Sequence, residues 1–153
     1  MSKTVKIVLA IVLCELVGFV GSIFTTPAIP TWYASLTKPG FSPPNWIFAP
    51  VWTILFALMG VSLYLLWEKR KKAKTALIFF AIQLVLNMLW SILFFGLKNP
   101  LLALIEIVVL WIFILLTTIN SWKISKLAGK LFIPYLLWVS FASFLNLQIV
   151  LLN

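Results

Sequence analysis

The sequence contains no histidine and a single cysteine. Without histidine it lacks the commonest general base, the commonest metal ligand and the usual proximal ligand of haem, so triad hydrolysis, zinc catalysis and His-ligated haem are set aside. Cys14 lies inside the first apolar run, which leaves neither a disulfide framework nor a thiolate cluster for a metal. No metal and no resident cofactor is expected. Charge is scarce as well: 10% of residues are charged, against about 25% in a soluble domain. What fills the space is apolar, with 63% hydrophobic residues and a mean hydropathy of +1.14, so lipid is the expected solvent. The net charge of +9 does not point to nucleic acid, because the basic residues sit in short clusters between long apolar runs.

A spanning helix needs about 20 mostly apolar residues. Five segments meet that length, at roughly 5–24, 46–67, 76–97, 100–121 and 131–152. Backbone polar groups in hydrocarbon require a helix or a closed barrel, and runs this long without barrel-strand alternation select helix. The expected fold is an all-α membrane protein, a single domain over 1–153 built as a five-transmembrane-helix bundle. Lys3 and Lys6 before the first run resemble a signal peptide, but Glu15 interrupts it and no A-x-A site follows, so a retained helix is expected. One side of the membrane collects Lys3, Lys6, Lys69, Arg70, Lys71, Lys72, Lys74, Lys123, Lys126 and Lys130; the other collects only Lys38 and Lys98. This asymmetry places the N-terminus in the cytoplasm and the C-terminus outside.

Residues 25–45, TTPAIPTWYASLTKPGFSPPN, carry five prolines and a glycine. They are expected to interrupt helix and to form a long loop, either a rigid spacer or a lid over the outer end of the bundle, with Trp32, Tyr33 and Phe41 docked. Polar residues inside the runs need protein or water around them. Gln83, Asn87, Trp90, Ser91 and Phe94 share one face of the third run, Tyr135, Trp138, Ala142 and Asn146 one face of the fifth, and Glu106, Phe113 and Thr117 one face of the fourth. These stripes are the expected inner walls, although Gln83 and Asn146 singly read as helix-to-helix glue. Glu15 and Glu106 have no intramembrane Lys or Arg near them in sequence, and Glu15, with Gly18 and Ser22, equally supports close helix packing.

The eight tryptophans divide by depth. Trp46, Trp67 and Trp122 stand at helix ends, where an aromatic belt explains them. Trp52, Trp90, Trp111 and Trp138 lie within the membrane, where an indole N–H needs an internal partner. Trp52, Trp90, Glu106 and Asn146 fall in the half facing the 25–45 loop, which locates an aromatic pocket there. Trp111 has no assigned place.

The string WYASLTKPGFSPPNWIFAPVWTILFALMG (32–60), then Asn87 and Trp90, then PYLLWVSFASFLN (134–146), closely resembles the translocator protein family, also called tryptophan-rich sensory proteins or peripheral benzodiazepine receptors. The resemblance implies a five-helix bundle, commonly a homodimer, with a pocket closed by the first loop. It implies binding of tetrapyrroles such as protoporphyrin and of hydrophobic isoquinoline carboxamide or benzodiazepine-type drugs, with light-dependent porphyrin breakdown, transport or sensing as the activity. Residue by residue it assigns Trp52, Asn87, Trp90, Trp138 and Ala142 to the pocket and Trp32 and Tyr33 to the lid. Trp52 and Trp138 would be the photochemically active pair. The ending LNLQIVLLN lacks the tyrosine and basic residue of the animal cholesterol motif, so cholesterol is not an expected partner. Lys38 and Lys98 are candidates to meet propionates. A different reading is a small proton-coupled drug exporter using Glu15 as its coupling carboxylate.

Overall fold

The computed structural model describes residues Met1–Asn153 and is entirely helical. Helix α1 (Lys3–Ala28) is capped by Ser2, whose hydroxyl accepts from the Val5 amide at 3.2 Å. Next come α2 (Phe48–Glu68), α3 (Lys74–Ser91), α4 (Pro100–Ile124), a short α5 (Lys126–Lys130) and α6 (Ile133–Leu152). Five stretches are long and apolar enough to cross a membrane: Lys3–Tyr33, Asn45–Glu68, Lys74–Gly96, Pro100–Ile124 and Lys126–Leu152. Their outward faces carry large apolar side chains such as Leu13 and Leu16 on α1, Ile105 on α4 and Leu137 and Leu151 on α6. In water such a surface would aggregate; in a bilayer it is the solvent-matched face.

One expectation changes. Residues 25–35 are helical rather than loop, because α1 runs on through a π turn at Ile29–Tyr33 to Ser35. A proline inside a regular helix clashes with the carbonyl four residues back, and the wider turn relieves that clash at Pro30. The Thr31 hydroxyl donates to the Pro27 carbonyl at 2.9 Å. The connection that remains loop is 36–44, followed by a 3₁₀ turn at Asn45–Ile47.

A second π turn, Ile92–Gly96, ends α3. The chain then reverses through Lys98, which has φ 54°, to Asn99, whose side chain accepts from the Leu102 amide at 3.0 Å. Asn99 followed by Pro100 is a helix start that needs no tertiary help: a capping acceptor, then a residue whose missing N–H is not wanted.

α1 packs along α2 and α3, α3 along α4, and α4 along α6, with α5 tucked under α2. Close approach of α1 and α2 depends on Gly60, where a Cβ would collide with the Ile11 backbone. At the same end Lys6 pairs with Glu68 at 2.7 Å and the Lys69 ammonium donates to the Ile124 carbonyl at 3.2 Å, so the basic ends of α1, α2 and α4 are drawn together. The buried Ser62 hydroxyl donates to the Ala128 carbonyl at 3.0 Å, and Phe80 meets Phe132 edge-on at 5.6 Å. This basic half of the bundle is solid.

Candidate functional site

The other half, toward the 36–44 loop, is hollow. A cavity of about 480 Å³ lies between α1, α2, α3 and α6. Small residues stand on its α1 wall: Gly18 against the Phe56 ring, Gly21 against Ser91, and Ser22 and Thr25. Phe48, Trp52 and Phe56 line it from α2, Asn87 and Trp90 from α3, Phe94 and Phe95 from the π turn, and Trp138, Phe141, Ala142 and Asn146 from α6. Tyr33 and Asn45 stand at the loop end.

The walls are held by ring contacts and by two amides. Trp52 and Trp138 meet at 87° with centroids 6.5 Å apart, and Phe48 meets Trp138 at 6.3 Å, so side chains bridge α2 and α6. Trp90 stacks on Phe94 at 5.0 Å, and its indole N–H donates to the Asn146 amide oxygen at 3.1 Å. Asn146 in turn donates to the Pro100 carbonyl at 2.9 Å, which ties three helices together and fixes the plane of the Trp90 ring. The Asn87 amide donates to the Tyr135 hydroxyl at 2.7 Å. The Trp138 indole nitrogen is buried without a partner.

Tyr33, Trp52, Asn87, Trp90, Trp138 and Ala142 therefore border one space. Trp32 does not; it packs edge-on against Phe94 and Phe95 at 5.5 and 6.5 Å, behind the wall they form. The face of α4 expected as an inner wall points elsewhere. Glu106 is buried outside the cavity lining with neither carboxyl oxygen partnered, Phe113 packs on Phe79 at 5.9 Å, and Thr117 donates to the Phe113 carbonyl at 2.6 Å. Gln83 lies in the core, its amide 3.7 Å from the Met59 sulfur. Trp111 finds its partner in Ser140, at 2.8 Å, and joins α4 to α6.

The loop 36–44 is docked on α6. Phe41 stacks on Phe144 at 5.4 Å and 14°, and Asn153 clasps Thr37, accepting from its amide at 3.0 Å and donating to its carbonyl at 2.8 Å. The Lys38 ammonium donates to the Tyr33 and Leu36 carbonyls at 2.8 and 3.1 Å and lies over the Tyr33 ring at 4.8 Å, so it serves the loop rather than standing free for a ligand. Sequence reasoning found Phe94 but missed Phe48, Phe56, Phe95 and Phe141 of the cavity, since Phe is also the ordinary lipid-facing residue. It also left Glu15 between packing and coupling; the structure places it on the cavity wall.

Comparison with known proteins covers nearly the whole chain. The model of the TspO/MBR family matches residues 10–152. The tryptophan-rich protein TspO of Chlorobaculum tepidum is 48% identical over 155 residues, spanning 99% of this chain and 98% of its own. That of Archaeoglobus fulgidus is 48% identical, spanning 97% of each. The human translocator protein is 37% identical, spanning 84% of this chain and 79% of its own.

Proposed function

The chain belongs to the TspO/MBR family, and from that premise we propose that it is a membrane receptor or translocator whose cavity binds tetrapyrroles, protoporphyrin IX first among them. The observation that carries this reading is the convergence of Trp52, Trp90 and Trp138 on one cavity of about 480 Å³, within the 300–1,000 Å³ typical of small-molecule sites. A flat macrocycle gains stacking area on these rings, and the amides of Asn87 and Asn146 orient it. Isoquinoline carboxamide and benzodiazepine-type drugs are ligands of a related class: apolar, rich in aromatic rings and sparsely polar.

Light-dependent oxidative breakdown of the bound porphyrin is the chemistry proposed here. The electrons lost by the macrocycle pass to molecular oxygen, the oxidant. Any electron exchanged between the excited macrocycle and Trp52 or Trp138 returns to its source, so the tryptophans end the cycle unchanged and no general acid or base is needed. The protein is placed in the cytoplasmic membrane, its basic end inward.

The test is quenching of tryptophan fluorescence by protoporphyrin in purified protein, in darkness and under illumination. Saturable quenching that weakens in Trp52→Phe and Trp138→Phe supports the pocket, and its absence refutes it. Unchanged porphyrin spectra after illumination refute the breakdown. One observation favours a second reading: Glu15 borders the cavity, as a coupling carboxylate of a proton-driven drug exporter would. Proton-driven uptake into vesicles that disappears in Glu15→Gln would establish it.

A further inference from the structure

Among the residues lining the cavity there is no lysine and no arginine, and the only carboxyl is that of Glu15. Glu15 is half-buried and makes no hydrogen bond or ion pair within the protein; the one salt bridge of the chain is Lys6–Glu68. It stands one helical turn toward the basic end from Gly18, which abuts the Phe56 ring: a Cβ at Gly18 would lie 2.6 Å from that ring. Phe56 in turn packs against Trp52 at 5.8 Å. The deep end of the cavity thus combines a carboxyl lacking a protein partner with aromatic faces, while the loop end carries amides and hydroxyls.

Those features together define a recognition chemistry. An acceptor at membrane depth gains most from a donor that the ligand brings, because neither lipid nor protein supplies one. Aromatic faces beside it favour a cation as well. We propose that Glu15 makes the deep end of the cavity a subsite for a protonated amine on a flat aromatic ligand. The same carboxyl disfavours a ligand acid at that end, so a porphyrin enters with its propionates toward the loop end. This inference rests on the reading that the cavity takes flat aromatic ligands.

The test uses a shape-matched pair of probes, 9-aminoacridine, which is protonated at neutral pH, and acridine, which is neutral there, titrated calorimetrically into the full-length protein in detergent. The wild type is expected to prefer the amine by about tenfold or more. In Glu15→Gln the preference should collapse toward one, and Glu15→Asp should restore part of it; because the readout is a ratio within one protein, a uniform weakening of both probes cancels. Equal affinities in the wild type, or a preference that survives Glu15→Gln, overturns the amine subsite while leaving the aromatic cavity standing. If neither probe binds, the aromatic-cavity reading itself fails and the subsite fails with it.

Discussion

The Asn87 amide and the Tyr135 hydroxyl form a 2.7 Å hydrogen bond at the boundary between the solid and the hollow halves of the bundle. Asn87 borders the cavity; Tyr135 is fully buried and stacks on Phe132 at 6.0 Å. Tyr135→Phe keeps the ring and deletes the acceptor. Interhelical hydrogen bonds in membranes contribute about 0.6–2 kcal/mol, and the unpaired Asn87 amide moves the loss toward the upper end. Thermal unfolding in detergent should show a melting temperature lower by several degrees; an unchanged transition would show that the pair carries no stability.

Gly60 should be intolerant even of alanine. The Cβ would meet the Ile11 backbone, with the Ile11 nitrogen only 2.8 Å away, and backbone cannot turn aside as a side chain can. Separating two packed helices costs about 1–3 kcal/mol. Gly40 has open space around it and an ordinary backbone conformation, so Gly40→Ala is the control and should melt as the wild type does.

Lys98→Gly should stabilise the protein. Lys98 is the one non-glycine residue with positive φ, at 54°, a conformation that costs a side-chain-bearing residue about 1–2 kcal/mol. Glycine's greater freedom in the unfolded chain offsets about 0.5–1 kcal/mol of that gain. The net rise is small and measurable by the same unfolding experiment; a fall would mean that Lys98 makes a contact worth more than its strain.

The loop 36–44 should open when its clasp is removed. Asn153→Ala deletes both hydrogen bonds to Thr37 and leaves Phe41 on Phe144 as the main attachment. At about 0.5–1.5 kcal/mol each, the lost bonds should speed amide hydrogen exchange of the loop by about tenfold. Exchange in α4 should not change, and if the loop too exchanges at the wild-type rate, the clasp is not what holds it.

The architecture was legible because lipid imposes a simple rule, a run of about 20 apolar residues per crossing, and five such runs are unmistakable. The loop was misjudged because proline punctuates helices through a local clash, and a π turn removes that clash without altering composition. Part of the cavity lining was legible too. Trp52, Trp90, Trp138 and Asn87 are out of place in lipid, and all of them border the cavity. The α1 wall was not, since Gly18, Gly21 and Ser22 announce close packing whether or not a void lies beside them. Glu106 misled in the opposite direction: its helical period is that of an inner wall, yet α4 presents that face to its neighbours, with the cavity out of reach.

Gly60 against Ile11, Ser62 on Ala128 and Phe80 on Phe132 all lie toward the basic end, away from the cavity. These contacts and the cavity consequently occupy separate parts of the molecule. Residues of the cavity wall can therefore be substituted without touching the contacts at the basic end. The same separation makes the hollow half the place to redesign binding, with the glycine-clasped half left untouched.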